Sequence, residues 1–324
     1  MSNEQNPFDP SDFEPSLVMR NLSDNRKFGF DGCIEQTINL NLPPSMSLLT
    51  PEQISSYEED GYVIVRGLFS KEETKVLRST ADHDNAMDKA SSSMDDGKGN
   101  EVRLALWNHP GDGIYGMFAR CKRVVESVEQ LLGGEAYHYH SKMILKDAKI
   151  GGAWAWHQDY GYWYQNGVLF PDLCSVMIAV DAATQENGCL QVLKNSHKMG
   201  RVNHILSGDQ AGADSERVEE AKKRLDLVHV VLDPGDSLFF HPNLLHCSAA
   251  NNSENSRWAM ICCYNAAAND PYKDSHHPRY TKLHKVEDEK VLEVGHAHTK
   301  GSEVSFSDLK MEDESAQSLE ELNV

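Results

Sequence analysis

The sequence predicts a mainly β protein, a double sheet or barrel with helices packed outside. Three observations carry that reading. Seven short β-prone runs separated by turn residues fill residues 136–265: AYHYHSKMILK, AWAWHQD, CSVMIAVD, GCLQVLK, LVHVVLD, DSLFFH and RWAMICCYN. Helix signals concentrate upstream of them. The composition, 40% hydrophobic and 25% charged over 324 residues, is that of a globular chain long enough to bury a large core.

Residues 1–48 are rich in Asn, Pro and Ser and lack periodicity, which predicts an extended or disordered arm. The fold begins near residue 49. Thr50, Pro51 and Gln53 form a capping box with proline at the first helical position, and Ser70 with Glu73 repeats the box. Between them GYVIVRGLF (61–69) reads as a strand. Ile114, Phe118, Val124, Val125, Val128, Leu131 and Leu132 recur close to helical spacing, predicting one helix over 113–132 that stops at Gly133-Gly134. The polar stretches 88–100 and 207–220 are too long for tight turns and read as loops that could serve as lids. The domain is expected to span 49–285, followed by an acidic, flexible tail over 286–324.

Charge and cysteine usage exclude several functions. A net charge of −19 disfavours nucleic acid and anionic lipid as partners, because both are bound by clustered Lys and Arg. No apolar run is long enough to span a bilayer, and MSNEQNPFDP lacks the basic and apolar segments of a secretory signal, so the expected compartment is the cytoplasm. Seven cysteines without C-x-x-C spacing read as reduced thiols.

The chemistry-bearing residues lie within the β region. His157 and Asp159 sit two apart in AWHQDYGYWY, a spacing that alone fits a polar interruption of a strand as well as a metal site. His246 follows a later β run, and Arg257 stands eleven residues beyond it. Two imidazoles and one carboxylate on one face of an octahedron leave three positions open, as in non-haem Fe(II) oxygenases. A guanidinium fork suits the far carboxylate of a dicarboxylic 2-oxoacid, although an ordinary ion pair is the alternative for Arg257.

With these residues in place the chain resembles the phytanoyl-CoA dioxygenase family of Fe(II)/2-oxoglutarate-dependent oxygenases. The resemblance rests on DGYVIVRGLF (60–69), WHQD (156–159), NGCLQVLKNSH (187–197), DPGD (233–236), His246-x10-Arg257 and YNAAAND (264–270). It implies a double-stranded β-helix, the cupin-like jelly roll, with His157, Asp159 and His246 on iron and Arg257 on the cosubstrate. It also places Lys142, Arg103 and Ser175 near positions that help bind 2-oxoglutarate or substrate. One departure is visible: the family's Pro-Gly-Ser-His is Lys194-Asn195-Ser196-His197 here, which puts the local turn in question.

The implied reaction consumes O2 and 2-oxoglutarate, releases succinate and CO2, and hydroxylates an unactivated carbon, with ascorbate as an optional reductant. Related halogenases carry a small neutral residue at the carboxylate position. Asp159 therefore favours hydroxylation or another halide-free oxidation such as desaturation. The rivals are a cupin-like metal-dependent isomerase, epimerase or lyase that does not use O2, and a binding protein with a degenerate site. The acidic body argues against a coenzyme A thioester, and the aromatic run from Trp154 to Tyr164 suggests a free, apolar or cationic small molecule; oligomeric state is left open. His138, His140 and His197 read as hydrogen-bonded core or turn residues, and His276, His277, His296 and His298 as solvent-facing.

Overall fold

The computed structural model describes residues 49–96, 100–207 and 210–299. The predicted arm and the tail beyond residue 299 lie outside these residues. Both capping boxes form as the sequence predicts. Helix α1 (Pro51–Asp60) starts at Thr50 and stops at Gly61, β1 (Tyr62–Val65) follows, and α2 (Lys71–His83) starts at Ser70. The stretch 88–100, expected as a loop, contributes the end of α3 (Asn85–Ala90) and then β2 (Ser92–Asp95), which pairs with β3 (Glu101–Trp107).

The single helix expected over 113–132 is two, α4 (Ile114–Arg120) and α5 (Lys122–Leu132). Cys121 between them is extended, at φ −62° and ψ 144°. The backbone groups freed by the break are taken by Val286, which receives the Lys122 N–H and donates to the Arg120 carbonyl. A tertiary strand contact thus overrides helical periodicity.

The β region runs as β4 (Ala136–Lys146), β5 (Trp154–His157), the short α6 (Asp159–Trp163), β6 (Leu173–Ala179) and β7 (Leu190–Leu193). The stretch 207–220, also expected as a loop, lies within a hairpin, β8 (His204–Ser207) and β9 (Gln210–Ala213), followed by α7 (Ser215–Lys222) with Asp214 as its cap. The chain then forms β10 (Leu227–Val230), β11 (Ser237–Phe240), β12 (His246–Ser248) and β13 (Arg257–Ala266). Helix α8 (Lys290–Thr299) lies where a flexible tail was expected; Val291 is buried there, and the helix packs on α2 and α4.

All pairings within the sheets are antiparallel. The larger sheet has the order β1-β11-β6-β13-β4-β3-β2 and the smaller β10-β7-β12-β5. Alternation along β13 shows how they pack. Ala259, Ile261 and Cys263 join Val192 and Val230 of the smaller sheet in one apolar cluster, whereas Met260, Cys262 and Tyr264 join Phe118, Val124 and Val128 of the helices in another. The result is the predicted double-stranded β-helix with helices against its outer face.

Two turns close the roll. Gly235, at φ 96°, fits DPGD because a Cβ there would lie 2.1 Å from the Phe69 carbonyl oxygen. Asp236 then accepts from Arg66, from the Gly67 N–H at 2.8 Å and from the Asp233 N–H at 2.9 Å, fixing the turn to the end of β1. At the Lys194-Asn195 departure, Asn195 takes φ 68°, a left-handed conformation that asparagine tolerates better than most side chains. Its N–H reaches the Asp60 carbonyl at 2.9 Å, and Ser196 Oγ accepts from Leu245 N–H, so the turn survives without glycine.

Candidate metal centre and cosubstrate pocket

His157 and His246 are partners in the β5–β12 ladder, their ring centroids 4.0 Å apart. Each donates Nδ1–H to the carbonyl two residues earlier, Ala155 at 2.8 Å and Leu244 at 2.9 Å, which turns the Nε2 lone pairs inward. Burial, and for His157 also the neighbouring His246, holds both imidazoles below their ordinary pKa, so they remain neutral as ligands must. Asp159 opens α6 and is 2% exposed. Its Oδ1 lies 3.9 Å from each Nε2, and the three donor atoms fall within 4.8 Å of one another. Three ligands about 2.1 Å from one ion and at right angles around it stand roughly 3.0 Å apart, so a bound ion would draw these donors together by about 1 Å.

The carboxylate is aimed from behind. Ser175 on β6 donates to Asp159 Oδ2 at 2.7 Å, leaving Oδ1 for the histidines and for Lys142 Nζ, 3.9 Å away. The backbone is held too: Gln158 N–H donates to His204 Nε2 at 2.9 Å, and that ring packs on Gly161, where a Cβ would collide with it at 2.1 Å. Of the aromatic run, Trp154 and Tyr162 flank the His157 ring at 6.0 and 5.8 Å, Tyr160 and Trp163 join the inner core, and Tyr164 is exposed.

Arg257 begins β13 and is 3% exposed, with Nε unpartnered and no carboxylate paired to it among the described residues. Burial lowers its pKa to about 10. Directly across the ladder stands Lys146, fully buried, its Nζ donating to Ser248 Oγ at 2.9 Å and to the Ala249 carbonyl at 2.5 Å. Burial, and then Arg257, lower its pKa to about 6. A guanidinium and an amine without a counter-ion inside a β roll offer a carboxylate hydrogen-bond donors and a charge partner.

Lys146 and Ser248 were not singled out from the sequence, but alternation marks both. Lys146 lies four residues beyond Lys142 and Ser248 two beyond His246, so each shares the inward face of its strand. Arg103 is a correction. It pairs with Leu145, whose side chain faces the helices, and is held by Asp88 at 2.6 Å and Asp147 at 2.9 Å, away from the metal donors. His277 is another, being buried rather than solvent-facing, whereas His276 and His296 are exposed. His138 bonds Asn108 and Ser141, and His197 bonds Glu58, as core and turn residues should.

Fold and donor set together define a non-haem iron- and 2-oxoglutarate-dependent dioxygenase. Comparison with known proteins agrees. The chain belongs to the phytanoyl-CoA dioxygenase (PhyH) family, whose profile matches residues 57–259. It is 28% identical to an L-proline trans-4-hydroxylase of Streptomyces griseoviridis over 66% of this chain and 86% of that one. It is 26% identical to an ectoine dioxygenase of Sphingopyxis alaskensis over 68% and 77% of the two chains. The crystal structure of EctD from S. alaskensis with bound Fe superposes with a TM-score of 0.63 at 22% identity, covering 76% of this chain and 90% of that one.

Proposed function

We propose that His157, Asp159 and His246 hold the iron of a small-molecule hydroxylase, and that Arg257, Lys146 and Ser248 receive the far carboxylate of 2-oxoglutarate. The observation that carries this reading is the convergence of three buried donors, the two histidines with Nδ1 already engaged, together with a buried guanidinium and a buried amine without a counter-ion. Iron bound there supplies O2 activation coupled to oxidative decarboxylation of 2-oxoglutarate to succinate and CO2. The chain's own residues orient and exclude. Arg257 and Lys146 fix one end of the cosubstrate, Ser175 aims the carboxylate of Asp159, and Trp154 and Tyr162 shield the side of His157. Among the described residues no helix is long and apolar enough to cross a membrane.

Anaerobic reconstitution with Fe(II) and 2-oxoglutarate tests the proposal. A visible charge-transfer band of a chelated 2-oxoacid is expected. His246→Ala should lose metal affinity by more than about 100-fold, since even partners of ligands are worth 10- to 100-fold. Stoichiometric iron without a band, or a folded His246→Ala protein with normal iron, would overturn it.

A further inference from the structure

We infer that the stacked imidazoles of His140 and His277 form the substrate's polar subsite and that they receive a carboxylate. This inference rests on the dioxygenase reading and names the substrate class: a small carboxylic acid, amino acids included.

His140 is 3% exposed, and its buried Nδ1 has no hydrogen-bond partner. The sequence suggests a bonded core histidine, and a buried polar atom without a partner is uncommon in a folded protein. His277 lies parallel to it, centroids 4.5 Å apart at 15°, and is likewise buried. The stack is built into the fold. Asn108 accepts from His277 Nδ1–H at 3.2 Å and donates to the His276 carbonyl at 2.6 Å, tying the segment after β13 over the end of β4.

Register places the pair beside the metal. Ser175, Cys263 and His140 form one row across β6, β13 and β4, so His140 faces the same interior as the serine that aims Asp159. Trp163, four residues after Asp159, meets the His140 ring edge-on at 5.7 Å. Neither imidazole is among the metal donors. The surroundings determine the sign of the ligand. The titratable neighbours acting on both rings are Lys142, His138 and His276, all cationic when charged, and Asp159 is committed to the metal. Burial keeps both rings neutral, so a carboxylate is the acceptor that the unpartnered His140 Nδ1–H lacks, and the surrounding charges are of the sign that attracts it. The apolar or cationic substrate suggested by the aromatic run would leave the pair unused.

The test uses the Fe(II)- and 2-oxoglutarate-loaded full chain under argon. Its probes are the common L-amino acids, proline among them, together with cyclohexanecarboxylate, benzoate and octanoate, each set against its carboxamide. Shifts of the charge-transfer band are titrated, and succinate release is then measured in air. At least one acid should respond, with its amide at least tenfold weaker. His140→Phe and His277→Phe should each weaken that acid at least tenfold and erase the acid–amide difference, while half-saturation by 2-oxoglutarate stays within twofold. Equal responses to acid and amide, discrimination that persists in the folded variants, or silence from every acid would overturn the subsite. The acid–amide comparison needs only the wild type, so it holds even where a variant fails to fold. Absence of any band in the wild type would sink the dioxygenase reading itself, whereas a band without discrimination sinks the subsite alone.

Discussion

Ser175 donates its hydroxyl to one oxygen of Asp159 at 2.7 Å and leaves the other equidistant from two imidazoles. Ser175→Ala frees the carboxylate to rotate without removing a ligand. Affinity for Fe(II) or Mn(II) should fall about 10- to 100-fold, with the melting temperature of the metal-free protein changed by only a few degrees. Metal titration by calorimetry checks it, and an unchanged affinity would make the bond incidental.

Arg257 is expected to act on the cosubstrate and not on the metal. Loss of a charge-assisted fork in a dry pocket should weaken 2-oxoglutarate by one to three orders of magnitude in Arg257→Gln, with Arg257→Lys recovering only part. Iron binding should stay near wild type. Calorimetry on the manganese-loaded protein separates this from a structural arginine, whose loss would lower the melting temperature and leave the cosubstrate constant alone.

Lys146 gives a pH signature. Burial first and Arg257 second bring its pKa to about 6, against the smaller opposing pulls of Cys247, Asp96 and Cys189. Above that pH the folded, cosubstrate-free protein holds the amine neutral, while the unfolded chain keeps its proton up to the ordinary lysine value near 10.4. Stability contributed by this group therefore rises with pH between about 6 and 10. A carboxylate bound beside it draws the proton back. Binding of 2-oxoglutarate at pH 7.5 should thus take up close to one proton, and affinity should weaken from pH 6.5 to 8.5 by up to about tenfold per unit. Calorimetry in buffers of different ionisation enthalpy measures the uptake, and Lys146→Met should abolish both effects.

At the turn where asparagine stands in a left-handed conformation, backbone sterics set the outcome. Asn195→Gly should be neutral within about 0.5 kcal/mol, whereas Asn195→Val should cost roughly 1–2 kcal/mol, a fall of about 3–8 °C in melting temperature. Thermal unfolding of both variants decides it; equal melting temperatures would mean the φ of 68° is not what holds the turn.

Legibility from sequence followed the range of the signal. The capping boxes at Thr50 and Ser70 are local, and they form as written. The three candidate donors that the fold brings together were legible because His157 and Asp159 share one β run and His246 stands at a family spacing. Arg103 failed for a physical reason: a charged residue on a strand reads alike whichever face it takes, and the pairing with Leu145 that turns it outward is a long-range fact. Lys146 was hidden by the same ambiguity on β4, where period 2 marks two inward lysines and nothing local ranks them. His277 looked solvated because its neighbours Asp274, Ser275 and His276 are polar, yet its burial is set by Asn108 and His140 from elements far away in the chain. The break at Cys121 depends on Val286, more than 160 residues later, which no window on the helix could contain.

The ladder pairing of His157 with His246 has a mechanical consequence. Strand β5 is four residues long and lies at the rim of the smaller sheet, so the backbone bonds that secure it are few. An ion held by both histidines is a cross-link between β5 and its neighbour, present in the native state and absent from the unfolded chain. At a free-metal level 100 times the dissociation constant it adds about 2.7 kcal/mol. With the proposed ion in place the seam of the roll would be zipped by the metal: chelation should loosen the rim first, with amide exchange quickening along β5 while β13, buried throughout between two neighbours, keeps its protection.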